Sequence, residues 1–240
     1  MLPLVAVITS IEGTTTPLRY IRDVLFPFAR ERLPEFLQAY SDDPKVAWQL
    51  AEVRRLVPGR PELQTLLHWL ERDAKAAPLS ALQGMIWRDG YGEGGLVGAV
   101  YPDVPPVLRR WSAAGLRLNC FSHGSTEAQR LIFSHSSAGD LSGLFRGFFD
   151  TGIGGKREPE SFSRLAIGMG LPPAEILYLS DIEAELDAAA TAGMRTCQVV
   201  RPGNGALASE QHPTAPDFAA VAERIGLAGG GWGSAVHPTM

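Results

Sequence analysis

The chain opens with a short apolar run, residues 4–8, that is followed at once by polar residues. Because the run is continuous and rich in valine and isoleucine, it predicts a buried parallel strand that ends in a loop near Ser10. From Tyr101 onward, similar apolar runs alternate with stretches whose apolar residues recur at helical spacing. This alternation predicts a doubly wound α/β fold, in which helices cover both faces of a parallel sheet. The other predicted strands are 116–121, 175–179 and 195–200, and helices are predicted after Pro105 and over 126–135, 158–169 and 183–192.

A long segment between these two parts has helical spacing of its apolar residues throughout. It begins after Pro17 and predicts an all-helical insert that ends near residue 98. Pro27 and Pro34 interrupt its first stretch, and we expect them to kink or split that helix because proline removes a backbone hydrogen bond. The Pro58-Gly59 pair separates the next two stretches. Five glycines between positions 90 and 98 predict a non-helical hinge where the chain returns from the insert.

The pattern therefore divides the chain into two predicted domains and a tail. Residues 1–16 and 99–227 form the α/β core domain, and residues 17–98 form a helical cap domain. Residues 228–240 are rich in glycine and lack periodicity, which predicts a flexible tail.

Composition narrows the function classes. The 22 Lys plus Arg residues against 26 Asp plus Glu leave no basic surplus, which excludes nucleic acids and anionic membranes as expected partners. No apolar run is long enough to span a membrane, and the N-terminus lacks the features of a signal peptide, so we expect a soluble cytoplasmic protein. Cys120 and Cys197 lie within apolar runs and predict buried free thiols.

Several polar residues follow the carboxyl ends of the predicted strands. In open α/β sheets these ends line one crevice, so we expect the residues to converge there. Carboxylates hold a hard cation, lysine neutralises phosphate oxygens, and amides at a helix start bind the remaining oxygens. Taken singly, Ser122, Ser125 and Asp181 are as simply explained as helix caps, and Lys156 as a surface residue. The convergent set comprises Ser10, Glu12, Ser122, His123, Gly124, Lys156, Asp181 and Glu185.

Longer motifs, spread over about residues 4–203, are more specific than these single residues. They read Thr9-Ser10-Ile11-Glu12-Gly13-Thr14-Thr15, Val24-Leu25-Phe26-Pro27, Ala29-Arg30-Glu31-Arg32-Leu33-Pro34, Leu82-Gln83-Gly84-Met85-Ile86-Trp87, Gly90-Tyr91, Gly124-Ser125, Ala128-Gln129, Lys156-Arg157-Glu158, Leu179-Ser180-Asp181 and Glu185-Leu186-Asp187-Ala188-Ala189. In these motifs the chain resembles the enolase-phosphatase (acireductone synthase) family of the haloacid-dehalogenase superfamily.

The resemblance implies a role for each residue at the strand ends. Position 10, here Ser10, is that of the nucleophile, and Glu12 is the implied general acid/base. Lys156 would balance charge as a catalytic and substrate-binding residue. Asp181 would bind Mg²⁺ together with positions 10 and 12, supported by Glu185. The residues implied to hold the phosphate are Ser122 and the backbone amides of His123 and Gly124.

The resemblance also implies the reaction. Members of the family enolise and then dephosphorylate 2,3-diketo-5-methylthiopentyl-1-phosphate in methionine salvage, which releases acireductone and phosphate. The cap closes over the substrate. The family tendency is toward monomers, so we expect a monomer that uses Mg²⁺, and nothing in the sequence points to an organic cofactor.

Ser10 is the main departure from the family pattern, because the family has an aspartate there that attacks phosphorus and also binds Mg²⁺. A hydroxyl is a poor nucleophile without a neighbouring base, and the loss of an anionic ligand weakens a magnesium site. His123, where the family commonly has serine, and Gly155, where it commonly has proline, are two further departures.

Three interpretations therefore stay open. The preferred one is an enolase-phosphatase whose phosphatase step is impaired, while enolisation by Glu12 survives. The second is a catalytically silent protein that still binds phosphate through Ser122, Lys156 and Asp181. The third is a hydrolase that pairs Ser10 with His123, for which the sequence offers no evident third residue to orient the imidazole.

Overall fold

The computed structural model describes residues 3–72, 74 and 76–226, and within them six strands form one parallel sheet. The strands are β1 (Ala6–Thr9), β2 (Arg117–Phe121), β3 (Phe145–Phe149), β4 (Ile176–Ser180), β5 (Arg195–Val199) and β6 (Thr214–Ala215). Their order across the sheet is β3-β2-β1-β4-β5-β6, so the order reverses between β1 and β4. Ligands of doubly wound sheets bind beyond the strand ends at such a reversal. The predicted α/β fold is confirmed.

Helices α1 to α5 follow one another between β1 and the helix that precedes β2, in the segment predicted to be a helical insert. Residues 21–25 of this segment form a π-helical turn, which the sequence pattern did not indicate. The helices are α1 (Leu18–Tyr20), α2 (Phe26–Ala39), α3 (Pro44–Leu56), α4 (Glu62–Glu71), α5 (Ala77–Gly92), α6 (Val104–Ala113), α7 (Thr126–Ser134), α8 (Pro159–Met169), α9 (Glu183–Thr191) and α10 (Phe218–Arg224).

The structure departs from two expectations about these helices. Of the kink or split expected at Pro34, a split does not occur: helix α2 continues through the proline, and the side chains of Leu33 and Phe36 are buried on both sides of it. Helix α5 includes Gly90, which was predicted to lie in a non-helical hinge. A Cβ atom at Gly90 would lie 2.5 Å from the ring of Phe28, so the glycine lets α2 and α5 approach closely.

The sheet is buried on both faces. Alternate residues of β1 belong to different apolar clusters: Val7 packs in the larger one, which includes residues of α2 and α5, and Ile8 packs in the smaller one beside α8 and α9. Two-sided burial explains why the strands are continuously apolar rather than alternating. Cys120 and Cys197 are buried free thiols, as predicted.

The division into a core domain (residues 1–16 and 99–227) and a cap domain (17–98) stays a prediction. The predicted tail, residues 228–240, lies outside the described residues. Within the described part of the chain, no helix combines the length and apolar character needed to cross a bilayer.

Candidate active site

Three neighbouring strands bring polar side chains to one edge of the sheet. Ser10, Ser122 and Asp181 each directly follow the last residue of their strand, which is β1, β2 and β4, respectively. The backbone amide of Ser10 donates to the carbonyl of Leu179 at 2.8 Å, and that of Ser122 donates to the carbonyl of Phe149 at 3.1 Å. These bonds extend the strand ladders by one residue and fix the direction of both side chains. The predicted convergence of these residues at one edge is therefore observed.

Lys156 reaches the same edge from the loop before α8, and it is buried, with 3% of its surface exposed. Its Nζ donates to Ser10 Oγ at 2.8 Å and forms an ion pair with Glu185 Oε2, also at 2.8 Å. The alternative of a surface position for Lys156 is therefore wrong. A lysine ammonium carries donors and no acceptor, so in this arrangement Lys156 binds the Ser10 oxygen and cannot accept the Ser10 proton.

Glu185 has two hydrogen-bond partners in addition to Lys156. Its Oε2 also accepts hydrogen bonds from the hydroxyls of Tyr178 and Ser180, both at 2.8 Å. Burial, and then the Glu185 carboxylate, raise the pKa of Tyr178, so its phenol stays a donor. The three donors occupy this carboxylate oxygen, and Glu185 serves to place Lys156.

Asp181 is not a helix cap, because the N-cap of α9 is Ile182 and no side chain caps that helix. The carboxyl group of Asp181 is buried, and burial raises its pKa to about 6, with the nearby Glu185 charge adding to the shift. A cation placed beside this group would favour its ionised form. Asp181 is therefore available for a ligand role rather than for capping.

The loop after Glu12 packs directly against Asp181. The hydroxyl of Thr14 donates to Asp181 Oδ1 at 3.3 Å and accepts from the Asp181 backbone amide at 3.2 Å. Gly13 has a φ of 72°, and a Cβ atom at this position would collide with the Asp181 carboxylate. Glycine is thus required here both by its backbone conformation and by the close approach. Thr14 was not singled out from the sequence.

The loop that follows β2 is fixed by Gln129 of α7. The side-chain amide of Gln129 donates to the carbonyls of Gly124 and Phe149, both at 2.7 Å. Ser125 is the N-cap of α7 and accepts from the amide of Ala128, so the capping alternative is confirmed for Ser125. Ser122 lies outside this cap, three residues before it. The helix N-terminus beside Ser122 favours an anion.

A cavity of about 110 Å³ lies beside this loop. Glu12 and the loop residues contribute polar lining. The π-helical turn, α2 and α5 contribute much of the apolar lining, and α5 adds the polar side chains of Ser80 and Gln83. A larger groove of about 1050 Å³ adjoins it, because both are lined by Glu12, Ile21 and Phe26. The polar residues of the smaller cavity include Glu12, Ser122, His123 and Gly124, and the apolar ones include Ile21, Leu25, Phe26, Trp87 and Ile132.

The side chains at this edge offer few anionic ligands to a metal ion. Among the described residues, no group of three His, Cys, Asp or Glu side chains is placed to hold a metal ion. Glu185 is engaged by Lys156, and Ser10 offers a neutral hydroxyl where a carboxylate would add charge. Mg²⁺ commonly binds one or two carboxylates and completes its shell with water and substrate phosphate. Asp181 fits such a weak site, which the phosphate of a substrate would complete.

The sequence is similar to proteins of one family along most of its length. Residues 15–193 match the model of the haloacid dehalogenase-like hydrolases. The chain is 56% identical over 228 residues to the enolase-phosphatase E1 of Granulibacter bethesdensis, which covers 95% of this chain and 99% of that protein. It is 51% identical over 216 residues to the enolase-phosphatase E1 of Acidiphilium cryptum, covering 90% of this chain and 93% of that protein.

Solved structures agree with the observed architecture. The UTR4 protein of Saccharomyces cerevisiae superposes with a TM-score of 0.77 at 28% identity, over 90% of this chain and 98% of that one. The L-2-haloacid dehalogenase RSc1362 has a TM-score of 0.57 at 18% identity, over 94% of this chain and all of that one, and supports the fold alone. The family predicted from the motifs is thus confirmed. The chain belongs to the haloacid dehalogenase-like hydrolases and, within them, to the enolase-phosphatase E1 family.

Proposed function

We propose that this chain is an enolase-phosphatase of methionine salvage that acts on 2,3-diketo-5-methylthiopentyl-1-phosphate, and that Ser10 impairs its phosphatase step. The complete reaction gives acireductone and phosphate. The relatives named enolase-phosphatase E1 support the reaction class. The smaller cavity supports a substrate of this chemistry, because it is polar beside Ser122 and apolar beside Phe26 and Trp87.

The hydrogen bond from Lys156 to Ser10 supports the impairment most directly. To attack phosphorus, the Ser10 hydroxyl must pass its proton to a base. Lys156 is paired with Glu185 and points donors at the Ser10 oxygen, so it does not supply that base. This bond also favours a neutral, hydrogen-bonding Ser10 over the Ser10–His123 pair.

The enolisation step does not require Ser10 to act as a nucleophile. In this step Glu12 takes a proton from the carbon beside a carbonyl, and the carbonyl oxygen gains a proton, so that the phosphorylated enol is an isomer of the substrate. Ser122, the amides of His123 and Gly124, and Lys156 are proposed to hold the phosphate during this transfer. A bound Mg²⁺ would supply Lewis-acid stabilisation of negative charge on the substrate during this transfer. We propose Asp181, Ser10 and Glu12 as the residues that hold it.

A second candidate function is that of a silent phosphate-binding protein. It is supported by the buried Ser122 and Lys156, which are proposed to bind phosphate, and by the hydroxyl of Ser10, which stands in place of the nucleophile and accepts from Lys156. The two candidates differ in whether the chain moves a proton on carbon.

Enol formation tests the proposal. With the diketo phosphate and Mg²⁺, the chain is expected to form the phosphorylated enol, followed by its ultraviolet absorbance and by solvent deuterium incorporation. Glu12→Gln is expected to slow this step at least about 100-fold, because it removes the base. Glu31→Gln, which alters another carboxylate of the adjoining groove, is the matched control and is expected to leave the rate unchanged. Tight binding of the substrate without enol formation would establish the silent alternative.

We further propose that the protein is a cytoplasmic monomer whose partner is a small phosphorylated molecule, with neither nucleic acid nor membrane as a partner. The excess of acidic over basic residues supports this proposal. Sedimentation of the purified chain tests the oligomeric state, and a dimer would contradict it.

A further inference from the structure

Three consecutive carbonyl groups directly after Glu12 are bound by residues from distant parts of the chain. The loop that carries them, residues 13–16, satisfies its own amides internally: Gly13 donates to Thr16, and the next three residues donate to Ile11. The carbonyls of its first three residues instead accept hydrogen bonds from Tyr101, Arg201 and Asn204. The donors are Asn204 Nδ2 to Gly13 at 3.1 Å, Arg201 Nε and Nη2 to Thr14 at 3.1 and 2.9 Å, and the Tyr101 amide to Thr15 at 2.9 Å.

Arg201 is the centre of this network. Only 4% of its surface is exposed, and its Nη1 also donates to Asp103 Oδ1 at 2.8 Å. Its guanidinium lies 4.1 Å from the ring centre of Tyr101 and 5.5 Å from that of Phe218. A charge at this depth costs free energy unless it is paired and hydrogen-bonded, and this guanidinium is both. The planar fork, rather than charge alone, fits the Thr14 carbonyl.

Thr14 contacts both Arg201 and Asp181. The Thr14 carbonyl accepts from Arg201 while the Thr14 hydroxyl is bonded to Asp181. Arg201 also stacks on Tyr101, and the Tyr101 amide bonds to Thr15, so the chain entering the helical segment is tied to the chain leaving it. A displacement of this loop would therefore move both Asp181 and the base of the helical segment.

We infer that Arg201 is a positioning residue for the reaction: it fixes loop 13–16 against Asp181 and joins the two connections to α1–α5. It does so through Thr14 and Tyr101, and it lines neither of the two cavities described above. Hydrogen exchange tests this placement directly, and affinity for inorganic phosphate with Mg²⁺ tests its effect on the site. The choice of phosphate as the probe rests on the proposed function.

The variant Arg201→Met removes the guanidinium group and keeps an apolar side chain of similar length. It is expected to speed amide exchange at least about tenfold in peptides covering residues 11–20 and 98–104, with no change in α8. It is also expected to weaken phosphate binding at least about tenfold, as the loss of an outer support commonly does. Added methylguanidinium is expected to restore part of both losses in the variant.

Arg117→Met is the matched control, because Arg117 also donates to a backbone carbonyl, that of Met169, far from the loop. It is expected to leave exchange at 11–20 and phosphate affinity unchanged. If Arg201→Met does not fold, Arg201→Lys replaces it, since a lysine keeps the charge beside Asp103 and loses the fork on Thr14. Its exchange is expected to rise in the same two segments.

Two results would overturn the inference: unchanged exchange at residues 11–20, or equal acceleration in all peptides, which would indicate a purely structural role. Failure of the unaltered chain to bind phosphate would instead count against the proposed function. The exchange comparison would still decide the role of Arg201.

Discussion

At the scale of single residues, Lys156 and Glu185 form a buried ion pair at the site, and breaking this pair is expected to lower the stability of the fold. Lys156→Met is expected to reduce the free energy of unfolding by about 3–5 kcal/mol, because it leaves the Glu185 carboxylate buried without its partner. Urea denaturation measures this change. Lys45→Met, at an exposed position of α3, is the control and is expected to stay within about 0.5 kcal/mol. A loss for Lys156→Met as small as that of the control would contradict the pairing.

Asp181 gives the protein a pH dependence of known sign. Burial raises its pKa in the folded state from 3.8 to about 6, so the folded protein binds this proton more tightly than the unfolded chain does. The resulting stabilisation is fully present below about pH 4 and is lost as the pH rises through about 6. Asp181→Asn lacks this titration.

We expect the unfolding free energy of the unaltered chain, relative to that of Asp181→Asn, to fall by about 1–3 kcal/mol between about pH 4 and 7 in the presence of a chelator. Denaturant unfolding at several pH values measures this difference. A difference that stayed constant, or that grew with pH, would show that the Asp181 carboxyl is not held in a desolvated environment.

At the scale of elements, sequence periodicity predicted whether a segment is a helix or a strand better than it predicted where that helix or strand begins and ends. The first strand was predicted at residues 4–8 and is Ala6–Thr9, because its ends are set by the neighbours β2 and β4 rather than by its own apolar run. The two residues of β6 are too few to produce a pattern. The end of α5 was misjudged because glycine usually disfavours helices, whereas Gly90 serves a contact between α5 and α2 that only tertiary structure defines.

Alanine substitutions at the two glycines near the end of α5 distinguish the effect of helix propensity on stability from the effect of packing. Gly92→Ala has open space around its Cβ position and is expected to stabilise the protein by about 0.5–1 kcal/mol or leave it unchanged. Gly90→Ala has the same propensity gain but forces a methyl group onto the Phe28 ring, so it is expected to destabilise by about 1–3 kcal/mol. Thermal unfolding of both variants compares them. Equal effects would mean that α2 and α5 do not meet closely at Gly90.

At the scale of the whole molecule, the sheet and the helical segment each supply one part of the site. Ser10, Ser122 and Asp181 were predictable from the sequence because each follows its strand directly, and parallel strands end at one edge. The contacts of Thr14, Gln129 and Arg201 were not predictable, although the first two residues lie in the family motifs, since these contacts join segments far apart in the chain. The apolar wall of the cavity depends likewise on the fold of the π-helical turn and α5.

We propose that the chain keeps an enolase-phosphatase site whose phosphatase step is impaired by Ser10. Phosphate release from the diketo phosphate with Mg²⁺ tests it most directly, by comparing the unaltered chain with Ser10→Asp. We expect release at least about 100-fold faster from Ser10→Asp, because the substitution supplies both a nucleophile and a further anionic ligand. Equal release from the two chains, or none from either, would contradict the account.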